Sequence, residues 1–213
     1  MEHYAGAWRA VAERFADNEA VVAYDLMNEP YGGTIQGAAF EAGPLTHLYQ
    51  LTVDAIREVD ESTWACLEPQ AMGFNWGLPS GLGKVNDPRE GDPRIAFCPH
   101  LYPLPMDLGD GFSGDSRGLV ESTVAGWRAN TLRTAEALGN VPIILGEFGL
   151  DTNLEGALDY VDLVYSTSDA AGIGIAYWSR DPGSWGPYES DGTPRNLIGV
   201  LNRAYPRAVA GQL

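Results

Sequence analysis

The sequence predicts an α/β fold in which helices and strands alternate along one chain. The strand-like segments are nearly continuous apolar runs, which is typical of parallel strands covered on both faces. Segments with the apolar spacing of helices separate them, and strands joined through helices form parallel sheets with right-handed crossovers. A length of 213 residues suits one hydrophobic core. We therefore expect residues 1–213 to form a single domain.

The first half of the chain is predicted to supply two helices and two strands. Apolar residues recur every three or four positions in residues 5–17 and again in residues 48–59, as on the buried face of a helix. The apolar segments "AVVAYDLM" at 20–27 and "STWACLEP" at 62–69 follow these helices as strands. A long loop rich in Gly, Pro and Asn, residues 70–93, leads to the second half.

The second half repeats the alternation of strand and helix and ends in a short helix. Its predicted elements are, in order, strand 94–102 ("RIAFCPHLY"), helix 119–138, strand 141–149 ("VPIILGEFG"), helix 154–170, strand 172–180 ("GIGIAYWSR") and helix 196–204. The whole chain is therefore predicted to hold five parallel strands, which no low-complexity segment divides.

The composition argues against several classes of function. The formal net charge is −16, and Lys84 is the single lysine among 13 basic residues, so the sequence offers no basic stripe for nucleic acid or for an anionic membrane surface. No apolar run reaches the roughly 18 residues that a membrane span needs. The opening "MEHYAGAWRA" lacks the basic and apolar regions of a signal peptide. Cys66 and Cys98 each lie in a predicted strand, where we expect buried free thiols.

Polar side chains follow each predicted strand at its carboxyl end. They are Asn28 and Glu29, Glu68, His100 and Tyr102, Glu147, and Trp178 with Arg180. Parallel strands bring these ends to one face of the sheet, and in both (β/α) barrels and open α/β sheets that face carries the active site. A single polar residue at a strand end can simply meet solvent, but five consecutive strands with such endings predict a site.

Glu29 and Glu147 are the two candidates for catalysis. Each follows an apolar strand, and Pro30 or Gly149 then turns the chain away. Two carboxyl groups at one rim suit cleavage of a glycosidic bond, because one can protonate the departing oxygen while the other attacks the anomeric carbon or activates water. We expect the acid to stay protonated near neutral pH through burial or a neighbouring negative charge. This chemistry needs no metal or organic cofactor.

Three neighbours of the glutamates suit the binding of a sugar. Asn28 is predicted to hydrogen-bond a sugar hydroxyl, Tyr102 to hold the nucleophilic carboxylate, and Trp178 to offer an apolar face to a sugar ring. Two other strings only partly match known binding motifs. "GLPSGLGKV" lacks the first glycine and the Ser or Thr of a phosphate-binding loop, and "DLGDGFSGDS" lacks the closing glutamate of an EF-hand.

The strings around these residues resemble a known family. "NEP" after an apolar strand, "HLY" on a later strand, "GEFG" on the next and "YW" on the last resemble the clan-A retaining glycosidases of the family 5 cellulase group. "YDLMNEP", "LEPQ" and the closing "NRAYPRAVAG" are similar, more narrowly, to endoglycoceramidases and related glycosylceramidases, which release intact sugar from ceramide. The resemblance covers essentially the whole chain and implies a TIM barrel, the (β/α)8 fold.

The resemblance also implies a role for each site residue. Glu29 is expected to be the acid/base and Glu147 the nucleophile of a double-displacement reaction. The residues expected to bind substrate are Asn28, His100, Tyr102 and Trp178 around the scissile sugar, together with Glu68 and Trp76. The implied substrate is a glycolipid or oligosaccharide, with contact to membrane lipid, and the implied location is secreted, outside the cell.

The sequence departs from the family in its number of strands. A family barrel has eight strands in about 250 residues, whereas the five strands predicted here correspond to strands four to eight. We therefore expect a partial barrel, with residues 1–213 forming one partial glycoside hydrolase catalytic domain. The resemblance implies, in addition, an N-terminal barrel half and a C-terminal β-sandwich.

The loops at the predicted rim carry many apolar residues. They are Met72, Phe74, Trp76, Leu78 and Leu82 after the second strand, and Leu104, Met106, Leu108 and Phe112 after the third. An apolar rim would suit a ceramide tail, although the same residues could pack on one another and close the barrel mouth. Two alternatives stay open: an endo-β-1,4-glucanase, and a non-catalytic remnant of a barrel that binds glycan or glycolipid.

Overall fold

The structure is a computed structural model that describes residues 1–203, and it has the predicted alternation of strands and helices. Its strands are β1 (Ala23–Asp25), β2 (Trp64–Leu67), β3 (Ile95–Phe97), β4 (His100–Leu101), β5 (Ile144–Phe148) and β6 (Gly174–Tyr177). Its longer helices are α1 (Glu2–Phe15), α3 (Thr46–Arg57), α6 (Gly114–Ala137) and α7 (Ala157–Asp169). The shorter helical segments are α2 (Gly37–Phe40), α4 (Ala71–Phe74), α5 (Leu104–Asp107) and α8 (Leu197–Leu201).

All these strands pair in parallel and lie in chain order. β1, β2 and β3 form one three-stranded sheet, β4, β5 and β6 form another, and a bridge between Phe97 and Ile143 connects the two. β3 and β4 together are the predicted strand 94–102, which is interrupted at Cys98 and Pro99 because proline has no N–H to donate to a ladder. The described residues therefore form an arc of five parallel strands with helices on its outer face, as in part of a (β/α)8 barrel.

The main hydrophobic core lies between the arc and its helices. Strand residues such as Tyr24, Leu67 and Leu145 alternate with inward-facing residues and pack against the helices. The inner face of the arc carries a smaller cluster around Cys66 and Cys98. Both cysteines are buried free thiols, as predicted. A hydrogen bond to Cys66 and burial together raise the pKa of Cys98, which makes it a poor nucleophile at neutral pH.

The paired strands are shorter than predicted. The predicted strand 20–27, for example, pairs only over Ala23–Asp25. An apolar run indicates burial, and burial extends beyond the last residue that a neighbouring strand can pair with. The short unpaired continuation of β1 carries Asn28 and Glu29 out to the rim.

The C-terminal helix is observed as α8, within the predicted range 196–204. Residue 204 and most of the closing string "NRAYPRAVAG" lie outside the described residues. None of the helices in residues 1–203 combines the length and the apolar character needed to cross a bilayer.

The helix before β2 is longer than the apolar spacing predicted. α2, a π-helical turn (Glu41–Leu45) and α3 follow one another directly, whereas the prediction began at residue 48. Pro44 lies inside the π turn. Because proline usually ends or kinks a helix, it concealed the continuation.

The buried carboxylate of Glu41 anchors the loop after β2 to this helix. One of its oxygens accepts hydrogen bonds from the backbone N–H of Gln70 at 2.9 Å and from the hydroxyl of Ser80 at 2.8 Å. The other oxygen accepts the backbone N–H of Gly81 at 2.6 Å. Three donors satisfy the buried group. The loop, which contributes Ala71, Met72, Asn75 and Trp76 to the cleft, is thereby fixed.

Candidate active site

The carboxyl ends of the strands surround an open cleft of about 750 Å³. Its lining residues are Asn28, Glu29, Ala71, Met72, Asn75, Trp76, Tyr102, Asp107, Glu147, Trp178, Asp181 and Trp185. Six of the eight predicted site residues line the cleft, and the other two, His100 and Glu68, lie buried beneath it. The polar strand ends therefore meet on one face, as predicted.

Glu29 is held at the rim in an unusual backbone conformation. Its φ of 47° lies in the left-handed region, which costs a residue with a side chain roughly 1–3 kcal/mol and occurs often at functional sites. Its backbone N–H donates to a carboxylate oxygen of Glu68 at 2.8 Å. Its own Oε1 accepts the side-chain amide of Asn75 at 2.9 Å and lies 3.1 Å from Nδ1 of His100. The carboxylate is thus fixed from two sides.

Glu147 reaches the cleft because β5 contains a bulge. Leu145 pairs with Ile175 but Phe148 pairs with Tyr177, so β5 has one residue more than β6 over this stretch. Without the extra residue, Glu147 would face the helices, since side chains alternate along a strand. Its Oε2 accepts the hydroxyl of Tyr102 at 3.0 Å, as the sequence predicted for the nucleophilic carboxylate.

His100 lies between the carboxylates and is only 2% exposed. Its Nδ1 is 3.1 Å from Glu29 Oε1 and 3.6 Å from Glu147 Oε2, and its Nε2 is 3.4 Å from Glu68 Oε1. The indole of Trp127 donates to its backbone carbonyl at 2.9 Å.

Gly146 leaves room for the His100 ring, because a Cβ there would lie 3.2 Å from Nε2. Glu29, His100 and Glu147 have the spacing of a metal site, with one ligand atom of each within 4.8 Å of the others. We assign no metal to them, because the ring nitrogens of His100 face carboxylate oxygens on both sides, Glu29 at Nδ1 and Glu68 at Nε2, as those of an imidazolium do.

The pKa values of the two glutamates are shifted in opposite directions, although His100 lowers both. The hydrogen bond to His100 lowers the pKa of Glu29, with help from Asn75 and against the effect of burial. Burial raises the pKa of Glu147, although His100 and Tyr102 oppose it. The expectation that the acid has a raised pKa is therefore wrong for Glu29 in this structure, since a cation and an amide hold its ionised form.

Glu68 does not reach the cleft, and the prediction that it contacts substrate needs correction. The residue is 1% exposed and lies below the Glu29 backbone, which it hydrogen-bonds. The hydroxyl of Tyr49 donates to its backbone carbonyl at 2.9 Å. The sequence showed that Glu68 follows β2, but not that the backbone of Glu29 lies over its carboxylate.

Several residues of the cleft were missed by the sequence analysis. Asn75 bonds directly to Glu29, and Asp107 lines the cleft from α5. Burial and the nearby charge of Glu29 raise the pKa of Asp107 to about 6. Both residues lie in or next to a short helical turn, where no periodicity marks an inward-facing position, although a polar residue between apolar ones was a usable signal.

Aromatic side chains border the cleft on two sides. Trp178 is 50% exposed, and Trp76 lines the opposite loop. Trp185, which the sequence analysis missed, lies with its ring 6.1 Å from that of Tyr102. The hydroxyl of Tyr177 holds the backbone carbonyl of Trp185 at 2.8 Å. These indoles can offer apolar faces to sugar rings.

The apolar rim residues divide into two groups. Phe74, Leu82, Met106 and Phe112 are buried in the core, as expected if the loops pack on themselves. Met72, Leu78, Leu104 and Leu108 are exposed, and Leu108 reaches 70% exposure. Part of the apolar rim therefore packs into the core, as one interpretation predicted, and part stays exposed, with Met72 lining the cleft.

Comparisons with known proteins agree with this geometry. The model of the family Cellulase (glycosyl hydrolase family 5) matches residues 1–184. The structure of endo-glycoceramidase II from Rhodococcus sp. in a ganglioside GM3 complex is 65% identical, with a TM-score of 0.95, over 99% of this chain and 47% of that one. Endoglycoceramidase I of Rhodococcus hoagii (strain 103S) is 28% identical over 223 residues, 100% of this chain and 43% of the relative.

A relative of different specificity also matches. Endoglucanase B of Neocallimastix patriciarum is 24% identical over 225 residues, 96% of this chain and 44% of the relative. The chain thus spans less than half the length of these three proteins. The structural likeness confirms the predicted fold class, a partial (β/α)8 barrel. From the family match over most of its residues, and from the paired glutamates at the strand ends, the chain belongs to the cellulase family, glycosyl hydrolase family 5.

Proposed function

We propose that this chain carries the catalytic residues of a retaining β-glycosidase that cleaves the glycan–ceramide linkage of glycosphingolipids. The observation that carries the proposal is the separation of Glu29 and Glu147, whose nearest ligand oxygens lie within 4.8 Å of each other. Retaining glycosidases hold their carboxyl groups about 5–5.5 Å apart, whereas inverting enzymes leave about 6.5–9.5 Å for a water molecule.

The proposed reaction has two displacements. In the first, Glu147 attacks the anomeric carbon while Glu29 gives its proton to the glycosidic oxygen, so the aglycone leaves as an alcohol and a glycosyl ester forms on Glu147. In the second, Glu29, now ionised, takes a proton from water as the water oxygen attacks the same carbon. The ester bond breaks, Glu147 leaves as a carboxylate, and the sugar keeps its original anomeric configuration.

The surrounding residues have supporting roles in this proposal. Asn28 hydrogen-bonds a hydroxyl of the scissile sugar, and Trp178 and Trp76 provide faces for sugar rings. Tyr102 orients Glu147 through its 3.0 Å hydrogen bond. His100 acts from below the cleft by fixing Glu29, so we assign it orientation of the acid rather than direct contact with substrate.

The exposed apolar rim supports glycosphingolipid as the substrate. Met72 and Leu78 on one loop, and Leu104 and Leu108 on the other, place apolar surface next to the cleft, where a ceramide tail or a membrane lipid can pack. The likeness to endoglycoceramidase II, at 65% identity, supports the same choice.

Two alternatives have specific support. An endo-β-1,4-glucanase fits the likeness to endoglucanase B and the tryptophan faces beside the cleft. A non-catalytic module that binds glycan or glycolipid fits the open arc that the described residues form, since its five strands do not by themselves close a barrel.

The proposed function brings further proposals about the whole protein. Residues 1–213 form part of one catalytic domain, which an N-terminal barrel half, in the same or another chain, completes. A C-terminal β-sandwich and a location outside the cell follow from the resemblance to endoglycoceramidases.

The test is product release by the purified chain from a glycosphingolipid and, in parallel, from cello-oligosaccharides. We expect intact glycan from the lipid alone and retention of anomeric configuration, with Glu147→Gln reducing the rate by at least 10³-fold because the nucleophile is lost. Glu61→Gln, an exposed glutamate before β2, is the matched control and should leave the rate unchanged.

Other outcomes distinguish the alternatives. Cleavage of cello-oligosaccharides but not of the lipid would support the glucanase. Binding of glycan by both the unaltered chain and Glu147→Gln, without turnover by either, would support the binding module. Inversion of configuration would overturn the double-displacement mechanism.

A further inference from the structure

Glu68 is a buried carboxylate beneath the proposed catalytic pair. One of its oxygens accepts the backbone N–H of Glu29 at 2.8 Å, and the other lies 3.4 Å from Nε2 of His100. The backbone of Glu29 and the ring of His100 therefore both contact one carboxylate, which itself does not line the cleft.

A carboxylate so deeply buried needs a cation or several donors to remain stable. Within residues 1–203, the cationic partner recorded for Glu68 is His100, and its Oε1 has no hydrogen bond of ordinary geometry. The ion pair with His100 is therefore the interaction that compensates this charge.

The His100 ring is surrounded by groups that favour its doubly protonated form. Glu29 and Glu147 face Nδ1, Glu68 faces Nε2, and the phenol of Tyr102 lies edge-on, with ring centres 6.4 Å apart. Burial opposes protonation, but the close contacts with Glu29 and Glu68 and the charges of Glu68 and Glu147 raise the pKa of His100 to about 10. A neutral ring could donate from only one nitrogen.

Asp25 adds a second carboxyl group behind Glu68. It lies in β1, with access to solvent from the inner face of the arc. Partial burial of its carboxyl group raises the pKa of Asp25 to about 7, and the charge of Glu68 and a hydrogen bond with it act in the same direction. The charge of His100 opposes this shift. Asp25 therefore keeps its proton to a higher pH than a free aspartate does.

We infer that Glu68 is a positioning residue, which holds the backbone of Glu29 with one oxygen and keeps His100 as an imidazolium with the other. The inference deepens the proposed function, on which it rests. Through Glu68, the ring keeps a proton on Nδ1 to donate to Glu29, and the strained backbone at φ 47° keeps its hydrogen-bond acceptor. Glu68 makes no contact with substrate in this role.

The first test is the titration of His100 by NMR in the intact chain. The chain has three histidines, so His3 and His47 serve as internal references. In the unaltered chain, the ¹⁵N shifts should show both ring nitrogens of His100 protonated at pH 7. In Glu68→Gln, which keeps an acceptor for the Glu29 N–H but removes the charge, the pKa of His100 should fall by at least one pH unit.

A neutral His100 ring at pH 7 in the unaltered chain would overturn the inference, and that measurement does not depend on the folding of any variant. An unchanged pKa in a folded Glu68→Gln chain would also overturn it. Glu61→Gln, the same chemical change at an exposed site, should leave the titration of His100 as it is.

The second test separates the inference from the proposed function. If the chain is a glycosidase, Glu68→Gln should lower kcat more than tenfold with KM within twofold, and should move the pH profile of kcat/KM. A chain without turnover, in which His100 still responds to Glu68→Gln, would refute the proposed function and leave the positioning intact. Turnover with an unchanged pH profile would refute the positioning alone.

Discussion

At the scale of single residues, different causes shift the pKa values of the two glutamates: the contact with His100 lowers that of Glu29, and burial raises that of Glu147. A retaining reaction begins from a protonated acid and an ionised nucleophile. The structure favours the opposite distribution, because the pKa of Glu29 is lowered and that of Glu147 is raised. The reactive form is then a minority at every pH, and its fraction is greatest between the two pKa values.

Replacing His100 by asparagine should shift the whole pH profile of kcat/KM to higher pH. The cation lowers the pKa of both glutamates, so its removal raises both. We expect a shift of about one pH unit, since one unit corresponds to about 1.4 kcal/mol, comparable to one charge-assisted hydrogen bond. Initial rates from acidic to mildly alkaline pH would measure it. His47→Asn, an exposed change on α3, is the control, and a profile that stays in place or moves down would contradict the prediction.

At the scale of elements, the order and type of the strands and main helices followed from apolar spacing, but the local irregularities did not. The bulge in β5 depends on pairing with β6, which the residues around Glu147 do not encode by themselves. The π turn was concealed by Pro44. Each irregularity contains a glutamate with a hydrogen-bond partner. Glu147 in the bulge lines the cleft and accepts the hydroxyl of Tyr102, and Glu41 in the π turn is buried and accepts the N–H of Gln70.

Glu41→Gln should destabilise the chain by about 1.5–3 kcal/mol, because a charge-assisted hydrogen bond is lost and an amide faces a backbone donor. Its carboxylate holds the N–H groups of Gln70 and Gly81, so the rim loop should also loosen. Urea unfolding would measure the change in free energy of unfolding. Equal stability of Glu41→Gln and the control Glu61→Gln would show that the anchor is dispensable.

Gly77→Ala should be more damaging than Gly73→Ala. Both glycines have positive φ, 84° and 108°, so both substitutions strain the backbone. At Gly77 the new Cβ would also lie 2.7 Å from the carbonyl oxygen of Thr123, whereas at Gly73 its nearest neighbour is a leucine methyl at 3.7 Å. We expect Gly77→Ala to lose about 1–3 kcal/mol more in urea unfolding. Similar losses in the two variants would mean that α6 moves aside.

At the scale of the whole molecule, the sequence predicted which residues meet but not how they are layered. Asn28, Glu29, Tyr102, Glu147 and Trp178 line one cleft because parallel strands share a polarity. Depth could not be predicted, because it depends on which loop covers which strand end, and so His100 and Glu68 were placed in the cleft rather than beneath it. Asp25 was overlooked, although a carboxylate within an apolar parallel strand was a visible signal.

The chain should be most stable in mildly acidic solution. The pKa of His100 rises from 6.5 to about 10 on folding, and that of Asp25 from 3.8 to about 7, so the folded chain binds both protons more tightly. Their contributions to the free energy of unfolding are therefore lost as the pH rises, between 6.5 and about 10 for His100 and between 3.8 and about 7 for Asp25. The pKa of Asp60 falls to about 2, so its contribution is lost only in strong acid. Melting temperatures should therefore fall between about pH 6 and pH 9. His100→Asn should flatten this decline, and a melting temperature that rises over this range would contradict the assignment.

The interruption between β3 and β4 places the two glutamates on separate halves of the arc. Glu29 follows β1 in one three-stranded sheet, and Glu147 lies in β5 of the other. Backbone hydrogen bonds still join the halves, from Phe97 to Pro142 and from Gly146 to Pro99. The distance between the carboxylates therefore depends on the curvature of the arc around Cys98 and Pro99, and a substitution that alters packing there should change the span available to a sugar ring.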